Sequence, residues 1–281
     1  MANVGGIAET QRNTNLLRVF DFMKKPDLEN VLSSFSPGGL RYFDSIGSTN
    51  DNALIWASQG ASDLSLVVSD EQTAGRGRSD RKWYTPPGSA LAFSLILRPS
   101  AAELMHPARI TGLGALALTD SLRPLGLIPQ IKWPNDVLIN GRKVAGILVE
   151  SDWLGNILNA SVLGMGVNVL KASTPSPDNA AFPPTCIEVE LGRPLDRIEL
   201  LRDILSALLN WRKKLGLDEF LQAWEDSLAF RGQQVQVTRD RQLPLTGELI
   251  GLEPNGNLQI RTLDGDMHEI TFGEIHLRPA L

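Results

Sequence analysis

A short stretch rich in glycine and arginine holds the side chains of this chain best suited to binding an anion. Residues 75–78 read Gly-Arg-Gly-Arg, Arg81 and Lys82 add two more cations, and an apolar run from Leu64 to Val68 precedes them. Glycine frees the backbone so that its N–H groups can surround an anion, and arginine presents forked, permanently charged donors that match phosphate. The alternative is a basic turn in solvent, because runs of charge usually lie at the surface.

A second segment, further along the chain, favours the anion site over the solvent turn. Residues 132–136 read Lys-Trp-Pro-Asn-Asp, and residues 142–150 read Arg-Lys-Val-Ala-Gly-Ile-Leu-Val-Glu. On a strand, Lys143 shares a face with Ala145 and Ile147. A lysine on an apolar face needs an anionic or strongly polar partner, although a lysine at a hairpin end can also extend its amine into solvent.

In this order, the segments resemble the signature of biotin protein ligases, and the resemblance extends from about Phe43 to Val169 with a weaker match in the tail. It implies an α+β fold. The catalytic domain, like that of class II synthetases, has a mixed or antiparallel sheet with flanking helices, and a small SH3-like β-barrel follows it. We expect a lead segment at 1–40, the catalytic domain at 41–230 and the barrel at 231–281.

The resemblance also implies a two-step reaction that uses ATP and Mg²⁺. The carboxylate of biotin attacks the α-phosphate of ATP, which gives biotinyl-5′-AMP and pyrophosphate. A lysine of a biotin carboxyl carrier protein or domain then attacks the mixed anhydride and releases AMP. Both steps develop negative charge on phosphate oxygens, so such a site needs fixed cations and oriented N–H groups.

The family's functional residues match positions of this chain one by one. Lys143 matches the lysine that contacts the biotin carboxyl and the α-phosphate, and Arg76 and Arg78 match loop arginines that hold the adenylate phosphate. Lys143 and Arg78 are therefore the predicted catalytic residues. The predicted biotin contacts are Ser48, Thr49, Asn50, Gln72, Arg76, Gly77, Arg78 and Lys143.

A second set of matched positions is predicted to contact the nucleotide. Asp136 is the candidate ligand of Mg²⁺, since that ion takes hard oxygen ligands and arrives with phosphates. Asn168 ends a Gly-x-Gly-x-Asn strand, which is not a dinucleotide fingerprint because the third glycine and the following helix are missing. The predicted nucleotide contacts are Arg78, Arg81, Trp83, Lys132, Asn135, Asp136 and Asn168.

Ser79 and Asp80 depart from the family pattern, in which many relatives carry another basic or glycine pair. Asp80 lowers the local positive charge and is close enough in sequence to pair with Arg78 or Arg81. This departure puts the retention of the ligand in question, but not the class of reaction.

Composition narrows the choice of partners and compartment. A net charge of −5 over 281 residues argues against a protein held on nucleic acid mainly by phosphate contacts. The segment before Phe43 shows no helix-turn-helix spacing, so we expect the family form without a DNA-binding domain. The single cysteine, Cys186, suits a reducing cytoplasm, and no apolar run is long enough for a membrane helix. The sequence leaves open whether the protein forms a homodimer.

Local patterns predict the elements around the two segments. Capping residues at 48–52 predict a helix from about Asn50 to Ser58, and capping alone is the simpler role for Ser48. Apolar spacing predicts one helix from Leu104 to Leu122, and Asn140-Gly141 predicts a two-residue hairpin of type I′. Further along, a helix capped by Asp196 is expected to end at Gly216, and short strands follow from Gln234.

Two other classes of function compete with the biotin ligase. A lipoate–protein ligase is expected to share the catalytic fold and the adenylation chemistry, but the Gly-Arg-Gly-Arg and Lys-Trp-Pro-Asn-Asp segments favour biotin. A DNA-binding repressor or a ligand sensor without catalysis is the second class. The acidic balance opposes the repressor, and the complete set of Lys143, Arg76 and Arg78 opposes the sensor.

Overall fold

The computed structural model describes residues 22–35, 38–79, 81–176, 182–239, 243–271 and 275–279. Expectations that concern Asp80 lie outside these residues. The helices are α1 (Lys25–Val31), α2 (Thr49–Ser58), α3 (Ala101–Met105), α4 (Arg109–Leu122), α5 (Ile187–Leu191), α6 (Arg197–Arg212) and α7 (Asp218–Asp226). The strands are β1 (Gly39–Phe43), β2 (Ser65–Ser69), β3 (Ala90–Leu97), β4 (Pro129–Lys132), β5 (Asp136–Ile139), β6 (Arg142–Leu154), β7 (Ile157–Asn168), β8 (Gln234–Arg239), β9 (Leu245–Leu252), β10 (Leu258–Arg261), β11 (Met267–Ile270) and β12 (Ile275–Pro279).

A mixed sheet of seven strands forms the larger layer, in the order β1-β2-β3-β7-β6-β5-β4. β1 and β2 pair in parallel, and all the other neighbours pair antiparallel. β3 is buried along its whole length, as expected for a central strand that is covered on both faces. The predicted α+β class with a mixed sheet and flanking helices is confirmed.

Helices cover both faces of this sheet. On one face α2 packs against β2, β3 and β7, and Ala53 and Ala57 of the helix join a small apolar cluster. Leu95 and Leu97 belong to the main core together with α4 and α6, whereas Ile96 between them belongs to the small cluster. Successive side chains of a strand point to opposite faces, so the two clusters lie on opposite sides of the sheet.

The meander of β5, β6 and β7 follows the sequence closely. Asn140 and Gly141 both have positive φ, 51° and 71°, as a type I′ turn requires. The predicted hairpin is therefore confirmed. Ser48 caps α2, since its Oγ accepts from the backbone N–H of Asp51 at 3.4 Å.

The single helix predicted from Leu104 to Leu122 is wrong, because the chain forms α3 and α4 with a break between them. Pro107 supplies the reason: it lacks an N–H and disfavours helical backbone at the residue before it. His106 accordingly has φ −131° and ψ 57°. None of the helices in the described residues is long and apolar enough to cross a membrane.

The helix that begins after Asp196 ends at Arg212 rather than at the predicted Gly216. Asp196 does cap it, because its carboxylate accepts from the backbone N–H groups of Ile198 and Glu199. Beyond Arg212 the chain continues in turns. The sequence patterns did not predict the strands β4 and β12 or the short helix α5.

Five antiparallel strands form a second, smaller sheet in the order β11-β10-β9-β8-β12, as predicted for the SH3-like part. The domain boundary at 230/231 stays a prediction. The loop between β9 and β10 contacts the larger layer: Arg109 of α4 donates to the carbonyl of Pro254, and the indole of Trp133 donates to the carbonyl of Gly256 at 3.1 Å. The second sheet thus packs beside residues 132–136.

Candidate active site

A cavity of about 500 Å³ opens where the stretch 72–84 faces β5, β6 and β7. It is lined by every residue that the sequence assigned to biotin or to the nucleotide, although the contacts with those ligands stay predictions. Two groups of side chains lie in it. We call Ser48, Thr49, Asn50 and Gln72 the amide end, and Lys132, Asp136 and Lys143 the cationic end. The other lining residues among those assigned are Arg76, Gly77, Arg78, Arg81, Trp83, Asn135 and Asn168.

At the amide end the side chains are locked by hydrogen bonds to one another. The Gln72 Oε1 accepts from the backbone N–H of Thr49 at 2.8 Å and lies 3.0 Å from its hydroxyl. The Gln72 Nε2 donates to the hydroxyl of Thr85 at 3.2 Å. Both ends of the amide are thereby fixed, and Thr49 itself is only 4% exposed.

Asn50 is held from three sides. Its Nδ2 donates to the carboxylate of Glu150 at 2.8 Å and to the carbonyl of Leu148 at 3.3 Å, and its Oδ1 accepts from the hydroxyl of Ser94 at 2.6 Å. A Cβ added at Gly164 would overlap the Asn50 amide. That strand position therefore admits only glycine while the amide keeps this orientation.

The cationic end is one carboxylate between two ammonium groups. The Lys143 Nζ lies 2.6 Å from Asp136 Oδ1, and the Lys132 Nζ lies 3.4 Å from Asp136 Oδ2. The side chains of Lys132 and Asp136 are 11% and 14% exposed, whereas that of Lys143 is 30% exposed. Of the two cations, Lys143 is the one more open to a ligand in the cavity.

Burial acts on the pKa values of Lys132 and Asp136 in opposite directions. Burial is the main cause that lowers the pKa of Lys132, and the charge of Asp136 offsets part of that effect. Burial would raise the pKa of Asp136, but the charges and hydrogen bonds of Lys143 and Lys132 outweigh it and lower that pKa. The carboxylate is therefore ionised at neutral pH.

A bulge in β6 sets the direction of Lys143. Leu138 of β5 faces Lys143, but the next pair joins Val137 to Ala145, so β6 carries one extra residue there. The sequence predicted that Lys143 shares a strand face with Ala145 and Ile147, and the bulge breaks that regular alternation. The backbone of Lys143 pairs instead with a distant segment: its N–H donates to the carbonyl of Pro183 at 2.9 Å, and its carbonyl accepts from the N–H of Thr185 at 2.8 Å.

The glycine-arginine stretch folds back on itself as a narrow loop. The N–H of Trp83 donates to the carbonyl of Gly75 at 2.9 Å, and the N–H of Gly77 donates to the carbonyl of Arg81 at 2.7 Å. A Cβ at Gly75 would collide with the carbonyl of Trp83, so the close approach of the two arms requires glycine there.

The two arginines of this loop point to different partners. The guanidinium of Arg76 donates to both carboxylate oxygens of Glu150, at 2.9 and 2.8 Å, and to Asp51 at 2.5 Å. The hydrogen bonds to Glu150 raise the pKa of Arg76. Arg78 donates to the side chain of Asn135 at 3.4 Å. The resemblance assigns both arginines to phosphate, and for Arg76 the structure shows protein carboxylates as its partners.

The indole of Trp83 lies against two glycines of the sheet. A Cβ at Gly166 would overlap its Nε1 end, and one at Gly146 would touch its far edge. The Lys143 Nζ is 5.4 Å from the centre of the ring. Within the described part of the chain, the buried indole N–H has no hydrogen-bond partner.

Glu150 and Arg278 belong to the site but were not predicted. Glu150 closes the β6 motif, and only its place on a largely apolar strand could have drawn attention to it. Arg278 of β12 lines the cavity from the smaller sheet, and no local signal could have placed it there. Asn168 donates through Nδ2 to the carbonyl of Thr185 at 3.0 Å and is buried, so it also supports the segment that pairs with Lys143.

The side chains present do not form a metal site around Asp136. Both of its oxygens face lysines, and among the described residues no group of three or more His, Cys, Asp or Glu side chains could hold a metal ion. Mg²⁺ is usually held by one or two carboxylates together with substrate phosphates, so its assignment to Asp136 stays a prediction, and no step below depends on it.

Two family models match this chain, one over most of the larger sheet and the other over the smaller sheet. The model of the Biotin/lipoate A/B protein ligase family matches residues 42–168, and that of the Biotin protein ligase C terminal domain matches residues 230–278. The Biotin--[acetyl-CoA-carboxylase] ligase of Paracoccus denitrificans is 37% identical over 222 residues, which cover 76% of this chain and 90% of that protein.

Two further relatives extend the match. The Bifunctional ligase/repressor BirA of Bacillus spizizenii is 33% identical over 230 residues, covering 80% of this chain and 70% of that protein. The solved structure of the biotin protein ligase from Aquifex aeolicus in complex with biotin and ATP superposes with a TM-score of 0.73 and 28% identity, covering 86% of this chain and 99% of that one.

Proposed function

Because this chain belongs to the biotin protein ligase family, we propose that it uses ATP to convert biotin into biotinyl-5′-AMP and then transfers biotin to a lysine of a biotin carboxyl carrier protein. The observation that carries this proposal is that the amide end and the cationic end lie in one cavity. Biotin combines a ureido ring, which needs hydrogen-bond donors and acceptors, with a carboxylate, which needs a cation.

The amide end suits the ureido ring. Its hydroxyl and amide groups are buried and oriented before any ligand arrives, so ordering them costs little on binding. The dithiolane ring of lipoate has neither N–H nor carbonyl, so it cannot exchange hydrogen bonds with these groups as a ureido ring can. This difference favours biotin over lipoate, the other substrate named by the family description.

Lys143 suits the carboxylate and the α-phosphate. An ammonium group has three donors, so Lys143 can keep its bond to Asp136 and still donate to a substrate oxygen. Lys132 adds a second positive charge behind it. Charge that grows on the α-phosphate during attack is then stabilised by cations already in position.

The loop of residues 75–83, which ends at Trp83, suits the adenylate. The indole of Trp83 and the side chain of Arg78, near Asn135, both lie in the wall of the cavity. A mixed anhydride reacts with water, so these groups must cover it until the carrier lysine arrives. When bound, ATP supplies the phosphoryl group that is attacked, and the residues named here bind, orient and shield it.

A pyrophosphate assay tests the proposed function. Protein incubated with biotin and labelled ATP should release one pyrophosphate per site before any carrier is added, and a carrier domain should then become biotinylated. Calorimetric titrations should show binding of biotin and none of lipoate at the same concentration. Pyrophosphate release that does not depend on biotin would contradict the proposal.

A further inference from the structure

We propose that Glu150 is a positioning residue that connects the loop of residues 75–83 to the amide of Asn50, so that cover over the ligand and recognition of its ring depend on one carboxylate. The inference rests on the proposed function, and it assigns Arg76 to the protein rather than to phosphate. The inference is based on three hydrogen bonds that Glu150 accepts. Arg76 makes a further bond to Asp51.

Towards the loop, Glu150 receives a forked pair of bonds. Both terminal nitrogens of Arg76 donate to it, at 2.9 and 2.8 Å. Bidentate pairs of this kind are stronger and more directional than single contacts. Since Arg76 lies one residue from both Gly75 and Gly77, this pair fixes the arm of the loop that carries Arg78.

Towards the amide end, the same carboxylate orients Asn50. A carboxylate only accepts hydrogen bonds, so the Asn50 Nδ2 must face Glu150, at 2.8 Å, and the Oδ1 must face Ser94 and the Gly164 position. With its two N–H donors taken by Glu150 and by the carbonyl of Leu148, the amide can offer a ligand only its oxygen. An acceptor at this place selects rings that carry an N–H.

Asp51 is the weaker of the two partners of Arg76. It makes one bond, at 2.5 Å, and its side chain is 52% exposed, compared with 24% for Glu150. Exposed single pairs contribute little. In the described residues Asn50 bonds to Glu150 and not to Asp51, so the two carboxylates can be separated by experiment.

Glu150→Gln keeps the size of the side chain and removes its charge. A glutamine has one acceptor and an NH₂ group, so it cannot accept from both Arg76 and Asn50. We expect the Kd for biotin to rise and the off-rate of biotinyl-5′-AMP to increase, each on the order of tenfold, the usual effect of losing a charged hydrogen-bond partner. Asp51→Asn should leave the biotin Kd unchanged and speed the off-rate by less.

The measurement is biotin Kd by calorimetry and adenylate off-rate by release of labelled adenylate, in wild type, Glu150→Gln, Asp51→Asn and the control Glu219→Gln. Glu219 pairs with Lys214 on the exposed surface of α7 and should match wild type. Folded Glu150→Gln with the Kd and off-rate of Glu219→Gln would overturn the inference. Wild type that binds no biotin would instead contradict the proposed function.

Arg76→Gln separates the two connections and guards against misfolding of Glu150→Gln, because Arg76 lies on a surface loop. It should speed adenylate release by a larger factor than it raises the biotin Kd. The double variant Arg76→Gln/Glu150→Gln should release adenylate no faster than Glu150→Gln alone, since both changes remove the same bonds. Additive off-rates, or an unchanged off-rate in Arg76→Gln, would show that Glu150 does not hold the loop.

Discussion

The two ends of the cavity are built in different ways. At the amide end, Thr49, Asn50 and Gln72 are neutral; Thr49 and Asn50 are buried, Gln72 bonds to Thr49, and Asn50 bonds to the strands behind it. At the cationic end, two lysines share the single carboxylate of Asp136. The first arrangement suits the recognition of a shape and of a pattern of donors and acceptors. The second holds excess positive charge in place, which gains most when negative charge develops on a bound phosphate.

This difference predicts which property each end affects more, the rate of adenylate formation or the affinity for biotin. Changes at the cationic end should slow adenylate formation more than they weaken biotin binding. Changes at the amide end should do the reverse, because a uniform loss of binding raises KM without altering the chemical step.

The largest effect is expected from Lys143→Ala. The variant loses the lysine that is more open to the cavity, and losing a contact that stabilises developing charge costs about 2.7–4 kcal/mol, or roughly 10²–10³ in rate. Single-turnover adenylation should fall accordingly, while the thermal midpoint changes little because the side chain is partly exposed. Lys214→Ala, at an exposed lysine in the turn between α6 and α7, is the control. A folded Lys143→Ala protein with an unchanged adenylation rate would refute the role of Lys143.

Gly164→Ala tests the amide end. The new Cβ overlaps the Asn50 amide, which is held by Glu150 and Ser94 and can move only by breaking those bonds. Each lost hydrogen bond of a buried group costs about 1–3 kcal/mol, so the biotin Kd should rise by roughly 10- to 100-fold. Gly47→Ala is the matched control, since its Cβ would meet nothing within 4 Å. Equal biotin affinities in the two variants would show that Asn50 is not a recognition group.

Arg78→Gly tests the loop that lies between the two ends. It removes the guanidinium near Asn135 and should weaken retention of biotinyl-5′-AMP, on the order of tenfold, more than it weakens biotin binding. Free adenylate should then acylate lysines of an unrelated protein such as albumin. If the adenylate off-rate matches wild type, Arg78 does not hold the adenylate, and the basic loop is a surface turn.

The smallest effect concerns pH. Burial lowers the pKa of Lys132 below the ordinary lysine value of 10.5, so its charge is lost as pH rises through that lowered value. Adenylation should therefore decline at a pH below 10.5. Lys132→Arg keeps the charge at every accessible pH and should move the alkaline limb upward. Identical alkaline limbs in the two proteins would assign the titration to another group.

Local sequence determined much of the scaffold of this site. The type I′ turn at Asn140-Gly141, the cap at Ser48 and the long strands of the meander all depend on neighbours within a few residues. Where local signals competed, prediction was less accurate: an apolar pattern ran through His106-Pro107, and the backbone chemistry of proline divided the helix there.

The sequence by itself, through short motifs that resemble those of a known family, determined most of the residues named in the cavity and the chemistry they carry, because residue types and short spacings are local properties. Arg278 entered the cavity without any such signal. Only the tertiary structure decided how those residues are paired. The bulge that turns Lys143 is stabilised by Pro183 and Thr185, distant in the chain, and Glu150 binds Arg76 across 74 positions. Contacts of that range depend on how whole elements pack, so no local pattern records them.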